Sequence, residues 1–340
     1  MDFLPTLWFI LIAVLWSGYL FLEGFDLGVG MLLRTFARGD TQRRVLINTV
    51  GPVWDGNEVW LLTAGGATFA AFPYWYASLF SALYLPLVVV LLALIFRAVA
   101  FEYRGKAHTR RARELWDWAL CLGSFTAAFG VGAMLALTTT GLPLDANGDR
   151  VGGAFAWLNG YAVLGGLAVV GFSLVQALAF LCLKTDGDLR ARARRAVVRW
   201  LPLAIAPMAA WALVVALRGG GTVPFLLIAV GLALAIAAWA SARAGREGRA
   251  FLALGGFLLA GVAAVFTAAY PVVLPSTLDA AFDLTVGNAS SSPYTLGLMS
   301  IVAAFGIPLV LAYQGWTYWV FRRRISEAHI PQAHRVTPIA

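Results

Sequence analysis

The sequence is divided into nine long apolar runs, each near the roughly 20 residues that a helix needs to cross a bilayer. Because hydrocarbon offers no hydrogen-bond partner to backbone groups, such runs must fold as helices. They predict an all-α integral membrane protein in which residues 1–340 form a single polytopic membrane domain. The nine predicted spans are 6–32, 53–72, 78–100, 116–138, 155–182, 200–217, 223–241, 251–274 and 296–320.

The distribution of positive charge predicts the orientation of these spans. All but three of the 25 Lys and Arg residues fall in alternate connections or in the C-terminal tail. Cytoplasmic loops of membrane proteins carry such an excess of Lys and Arg. We therefore expect the N-terminus outside and the C-terminus in the cytoplasm. The net charge of +8 thus reflects membrane topology, and it does not indicate a nucleic-acid partner.

Five carboxylates are predicted to meet at the cytoplasmic ends of the first three spans. Glu23 and Asp26 are spaced i, i+3 near the end of the first span, and Asp55 and Glu58 have the same spacing at the start of the second. This spacing puts both members of a pair on one face of a helix. The third span runs back to the cytoplasm and ends near Glu102.

Two interpretations of these acids remain open from the residues alone. Charged groups at membrane depth are costly unless they are paired, neutralised or hydrated, and they commonly mark proton or substrate pathways. A proton-uptake path is one interpretation. The other is an ion-paired structural cluster in which Arg97, a cation inside a span, offsets one acid. Three glycines between residues 24 and 30 further predict that a neighbouring helix approaches the first span closely.

The histidines and cysteines of this sequence are not positioned to bind a redox group. The three histidines, His108, His329 and His334, lie in a cytoplasmic loop and in the tail, so no pair of spans offers two axial ligands for a b-type haem. The two cysteines, Cys121 and Cys182, lie within apolar runs and are predicted to be packing residues. We expect no metal site and no redox centre in this chain alone.

Four segments carry a resemblance to a known family. They are Glu23–Leu32, Trp54–Gly66, Phe96–Arg104 and Trp116–Trp118, and the similarity returns at Tyr270–Ser276. In these segments, taken in order, the chain resembles subunit II of the cytochrome bd quinol oxidases.

The resemblance implies a complex with a homologous nine-helix subunit I, which holds two b-type haems and one d-type haem. Such a complex oxidises quinol at its outer face, reduces dioxygen to water and draws protons from the cytoplasm across a bacterial plasma membrane. Subunits II of the family bind no haem, and some bind a quinone as a structural lipid. Each has two four-helix bundles and a peripheral first helix. Whether small accessory subunits bind is left open.

The resemblance also separates the acids by role. It implies that Asp55 and Glu102 belong to the proton path, with Glu23 and Asp26 nearby where protons enter. Glu58 becomes a polar neighbour, because relatives carry either an amide or a carboxylate at that position. Arg97 is a polar neighbour too. The alternatives are a proton-coupled transporter that acts without a partner and a purely structural partner subunit.

Overall fold

The structure is a computed structural model that describes residues 3–331, and these residues are mostly helical. The predicted all-α class is confirmed. The helices are α1 (Phe3–Thr35), α2 (Gly39–Val50), α3 (Trp54–Ala71), α4 (Pro73–Ala82), α5 (Tyr84–Tyr103), α6 (Arg110–Thr140), α7 (Gly160–Lys184), α8 (Gly187–Gly219), α9 (Thr222–Arg243), α10 (Glu247–Ala269), the one-turn α11 (Val286–Ala289) and α12 (Pro293–Val320). Two short strands, β1 (Val272–Leu274) and β2 (Leu284–Thr285), pair in antiparallel fashion.

Eight of the described helices are long and apolar enough to cross a membrane: α1, α5, α6, α7, α8, α9, α10 and α12. The ninth predicted span, 53–72, corresponds to α3, which is not among the eight. Its 18 residues extend about 27 Å, slightly less than the ~30 Å hydrocarbon core. Asp55, Asn57 and Glu58 in its first two turns also make it more polar than the others.

The long helices associate in two groups of four. In the first group α1 packs against α3 and α6, and α6 packs against α5. In the second, α7, α8, α9 and α10 pack in succession, with α10 also contacting α7 and α8. Contacts of α1 and α6 with α7 join the two groups.

The prediction of a peripheral first helix is wrong. More than half of the residues of α1 are buried, and this helix contacts both groups. The peripheral helix is α12, where Leu296 is the one buried residue among the 28 of this fully described helix. The physical reason is the small-residue face of α1, which allows neighbours to approach, whereas the side chains of α12 project outward.

The connections that follow α6 and α10 pack on each other. The Leu142 amide donates to the Pro275 carbonyl at 3.1 Å, and the Thr277 amide donates to the Leu142 carbonyl at 2.9 Å. The hydroxyl of Ser276 also donates to the Leu144 carbonyl at 2.7 Å. These bonds join the segment after α6 to the segment after α10, so the two helix groups are linked at this end of the bundle.

At the opposite end, the basic segment after α1 forms a helix. Residues Gly39–Val50 make up α2, and Val45, Leu46 and Val50 are buried on one of its faces. Apolar residues at this spacing form one stripe of a helix. The helix packs on α1 and α7 at this end of the bundle.

Gly28 determines how closely α1 and α7 can approach. A Cβ atom at this position would lie 2.0 Å from the Ser173 carbonyl oxygen and 2.5 Å from the Ala177 Cβ. At Gly24, one turn earlier, the nearest atom would be 3.6 Å away, an ordinary contact. The backbone contact between α1 and α7 therefore requires glycine at position 28.

We expect Gly28→Ala to lower the free energy of unfolding by about 1–3 kcal/mol, the usual cost of overpacking. Thermal unfolding of the detergent-solubilised protein, followed by circular dichroism, measures this change. Gly24→Ala is the matched control and should unfold like the parent protein. Equal midpoints for the two variants would contradict the packing argument.

Candidate functional site

A buried ion-pair cluster lies between α1, α3 and α5. The Arg97 Nη2 is 2.7 Å from Glu23 Oε1, and its Nη1 donates to Glu58 Oε2 at 3.2 Å. The side chains of Arg97 and Glu23 are 0% exposed, whereas that of Glu58 is 20% exposed. Arg97 therefore pairs with two acids, one sealed inside the protein and one that reaches the surface.

Arg97 lies on α5 where this helix packs closely against α6. A Cβ at Gly123 of α6 would lie 2.7 Å from the Ala93 carbonyl oxygen and 3.2 Å from the Arg97 Cβ, so the two helices nearly touch there. The guanidinium carbon of Arg97 lies 5.2 Å from the centre of the Phe101 ring and 6.0 Å from that of Trp54. These distances are typical of cation–π contacts, which stabilise a cation away from water.

Asp26 belongs to a separate hydrogen-bond network. Its Oδ2 accepts from the Asn57 amide nitrogen at 2.6 Å. The Asn57 Oδ1 in turn accepts from Gln314 at 2.8 Å and from the Tyr318 hydroxyl at 2.7 Å. The peripheral helix α12 is thereby attached to α3 and α1 beside the ion-pair cluster. The sequence pattern alone does not indicate a role for Asn57, Gln314 or Tyr318.

Several buried polar atoms of this region have no hydrogen-bond partner among residues 3–331. They are both carboxylate oxygens of Glu23, Oδ1 of Asp26, and Nε and Nη2 of Arg97. The short Arg97–Glu23 distance is thus a charge contact without hydrogen-bond geometry. Buried polar groups in proteins are normally satisfied by protein or by water. This part of the interior is therefore suited to hold water or protons.

Asp55 and Glu102 lie outside the buried cluster, and both are exposed on the surface of this chain. Neither forms an ion pair within the described part of the chain. Their preceding residues meet, however, because the Trp54 and Phe101 rings stack with centroids 4.9 Å apart and planes 15° from parallel. The stack holds the start of α3 beside the end of α5, so both carboxylates emerge at the same end of the bundle.

Asp55 and Glu58 line a large groove between α3, α4 and α5. The groove has a volume of about 1080 Å³ and is otherwise lined mainly by apolar and aromatic side chains, among them Leu62, Phe69 and Leu91. These three side chains are exposed. An apolar groove of this size on one side of a helix group is typical of an interaction surface.

A second charged cluster lies where α2 meets the α5–α6 connection and the start of α6. The buried Asp117 of α6 accepts from Arg104 at 2.5 Å and from Arg43 of α2 at 3.0 Å. Arg104 also donates to Asp40 at 2.8 Å. These bonds fix α2 to the α5–α6 connection. Asp117 was not among the five predicted acids, although the quoted segment Trp116–Trp118 contains it.

The two described histidines lie outside helices α1–α12. His108 precedes α6, and His329 lies after α12, where its Nδ1 is 3.1 Å from the Ser326 amide nitrogen. His334 lies outside the described residues. Within residues 3–331, no three His, Cys, Asp or Glu side chains are grouped so that they could hold a metal ion. The polar groups around Arg97 and Asp26 are carboxylates, the Arg97 guanidinium, the amides of Asn57 and Gln314, and the Tyr318 phenol.

The comparisons with known proteins agree with the motif resemblance. The sequence profile described as cytochrome bd terminal oxidase subunit II matches residues 4–321. The chain is 42% identical over 333 residues to the cytochrome bd ubiquinol oxidase subunit 2 of Bacillus subtilis, covering 96% of this chain and 98% of that protein. It is 33% identical over 369 residues to the cytochrome bd-I ubiquinol oxidase subunit 2 of Escherichia coli K12, covering 97% of each.

A solved structure has the same fold. A chain of the bd oxidase from Geobacillus thermodenitrificans superposes with a TM-score of 0.76 at 18% identity, covering 94% of this chain and 99% of that one. The resemblance drawn from the sequence motifs is confirmed, and the chain belongs to the cytochrome bd terminal oxidase subunit II family.

Proposed function

We propose that this chain is the second subunit of a bacterial quinol oxidase, which couples quinol oxidation to the reduction of dioxygen to water. The observation that carries the proposal is the 42% identity, over nearly the full length of both chains, to a cytochrome bd ubiquinol oxidase subunit 2. The subunit has two tasks in this proposal. It supports a haem-bearing subunit I, which holds two b-type haems and one d-type haem, and it supplies part of the proton path.

In the membrane, α3 forms a ninth span of a single polytopic domain, with the N-terminus outside and the C-terminus in the cytoplasm. The distribution of positive charge supports this topology. Arg34, Arg104 and Lys184 lie at the ends of α1, α5 and α7, and Arg322 follows α12. All of these ends would then face the cytoplasm. The short length of α3 requires local thinning of the bilayer or burial against a partner.

The groove between α3, α4 and α5 is the face on which subunit I packs. Exposed apolar side chains, including Leu62, Phe69 and Leu91, cover this face, and Asp55 lies at its edge. Contact with subunit I would enclose Asp55 between the two subunits. The Asp55 carboxylate is then directed toward subunit I, which reduces dioxygen.

Protons travel through Asp55 and Glu102, and the buried cluster holds the helices that carry them. Asp55 and Glu102 have no ion-pair partner among residues 3–331, so they are available to bind and release protons. Glu23 is in contact with Arg97 and fully buried, which supports a structural role for that pair. Asp26 accepts a hydrogen bond from Asn57 and, unlike Glu23, forms no ion pair among the described residues, so it is the inner acid better suited to carry a proton.

The first test is purification of the chain from native membranes through an affinity tag. We expect a red complex in which the chain is accompanied by a second helical subunit with b-type and d-type haem spectra. The complex should consume dioxygen when it is supplied with quinol. A colourless chain purified alone, without quinol oxidase activity, would contradict the proposal and favour a transporter that acts without a partner.

A further inference from the structure

A basic pocket lies at the cytoplasmic end of the second helix group, far in sequence from the carboxylates discussed above. It has a volume of about 510 Å³ and lies between α8 and the connection from α9 to α10. Four arginines line it: Arg194, Arg195, Arg199 and Arg243. The remaining lining residues, Val198 and residues 242 and 244–245, carry no charge.

These four arginines have no carboxylate within 4.0 Å in the described part of the chain. The neighbouring acids are already paired elsewhere. Glu247 is 2.8 Å from Arg190, and Asp188 is 3.3 Å from Arg192. The pocket is therefore a concentration of positive charge in which none of the four arginines has an ion-pair partner within the described part of the chain.

The spacing of the arginines increases their mutual repulsion. Arg195 and Arg199 are at i, i+4 on α8, where like charges destabilise a helix. Arg194 is confined by the tight turn at Gly245, which has a left-handed φ of +71°, since a Cβ there would lie 3.0 Å from Arg194 Nη1. An anion bound between these side chains would relieve the repulsion.

The pocket lies at the level of the lipid headgroups. The guanidinium carbon of Arg199 is 5.2 Å from the Trp200 ring centre, and that of Arg243 is 4.7 Å from the Trp239 ring centre. Tryptophan is enriched at the membrane–water interface. Just beyond, Leu203 of α8 is 66% exposed, as expected for a side chain that faces lipid tails. A ligand in the pocket would therefore have its anionic group in the pocket and its apolar part along α8.

We infer that this pocket binds the phosphate group of an anionic phospholipid from the cytoplasmic leaflet. Basic pockets between helices on the cytoplasmic side have the chemistry for such headgroups. The arginine fork also matches phosphate oxygens in geometry as well as charge. The inference does not rest on the proposed proton path, because none of the four arginines contacts the carboxylates of that path.

The test uses the purified, delipidated complex and native mass spectrometry. Short-chain phosphatidylglycerol is titrated into the parent complex and into Arg195→Gln/Arg199→Gln. We expect the affinity for the tightest-bound lipid to fall roughly 30-fold in the double variant, the effect of losing two arginine contacts at a membrane surface. Unchanged haem spectra and quinol oxidase turnover would verify that the variant assembles.

Two controls separate this site from general attraction between lipid and positive charge. Arg110→Gln/Arg111→Gln removes two exposed arginines from the first turn of α6 and should leave the affinity unchanged. Phosphatidylcholine and inorganic phosphate should bind the parent complex more weakly than phosphatidylglycerol. Equal losses in both double variants, or binding of phosphatidylcholine or free phosphate as tight as that of phosphatidylglycerol, would overturn the inference.

Discussion

Replacement of Arg97 by methionine is expected to abolish recovery of the assembled complex. The change leaves Glu23, which is 0% exposed, without its counter-charge at 2.7 Å, and it removes the partner of Glu58. Breaking a buried pair by removing one member costs about 3–5 kcal/mol. That is a large part of the roughly 5–15 kcal/mol by which proteins are stable. The measurement is the amount of haem-bearing complex recovered per amount of this chain in the membrane.

A second variant tests whether the unpaired charge of Glu23 causes the loss of the complex. Glu23→Gln combined with Arg97→Met removes both buried charges, while Glu58 still reaches the surface. We expect the double variant to recover part of the lost complex. Arg110→Met is the control, because its pair with Glu114 is exposed and contributes little. If the double variant is no better than Arg97→Met alone, the unpaired charge of Glu23 is not the reason for the loss.

This cluster illustrates what the sequence could and could not predict. The i, i+3 spacing correctly indicates that Glu23 and Asp26 share a side of α1, but the two acids enter different networks. Glu23 contacts Arg97, whereas Asp26 accepts from Asn57. Spacing defines a face of one helix, and it does not define how neighbouring helices are rotated toward that face. The number of acids that Arg97 contacts therefore became apparent only from the packed structure.

The peripheral first helix was implied by the family resemblance, and the hydropathy of the spans could not correct that expectation. Lipid tails and a protein interior are equally apolar, so hydropathy does not distinguish a central helix from an outer one. Glycine does not distinguish them either. Gly28 and Gly30 of α1 lie against neighbouring helices, whereas no atom of another element lies within 4 Å of the Cβ position at Gly297 or Gly306 of α12. Only the arrangement of the neighbours separates the two cases.

The contribution of α12 to the site could not be predicted from the sequence either. Gln314 and Tyr318 are separated from Asn57 by more than 250 positions, and they lie in a helix that is otherwise exposed. Single-sequence periodicity carries no information about such a contact. The motif around Asp55 was recognisable because its residues are consecutive, and this is why the family could be inferred from the sequence while Tyr318 could not.

Asp55→Asn is expected to lower quinol-driven oxygen consumption about tenfold or more while the haem content stays normal, since a positioned proton-transfer group contributes ~10²–10⁴-fold to a rate. Asp55 is exposed and has no described ion-pair partner, so an amide of the same shape should not disturb folding. The measurement is oxygen uptake by the purified complex. It is accompanied by the solvent isotope effect, which should increase when proton delivery limits the rate.

Matched variants distinguish a role of Asp55 in proton delivery from a role in folding or assembly. Asp55→Glu keeps a carboxylate and should retain most of the turnover, and Glu102→Gln should lower turnover in the same direction as Asp55→Asn. Asp149→Asn, in the connection between α6 and α7, is the control and should have no effect. Unchanged turnover in Asp55→Asn would remove this residue from the proton path, and loss of haem would favour a structural role.

Glu58→Gln is the most informative comparison with Asp55→Asn, because Glu58 lines the same groove as Asp55 and is only three residues away. Its Oε2 accepts from Arg97 at 3.2 Å, and a glutamine would keep an oxygen there for the same hydrogen bond. Arg97 would still have Glu23 as its fully buried counter-charge. We therefore expect Glu58→Gln to retain turnover within about threefold, since a hydrogen-bond acceptor is preserved and only a partly exposed charge is lost. A loss as large as that of Asp55→Asn would instead make Glu58 a proton carrier of equal standing.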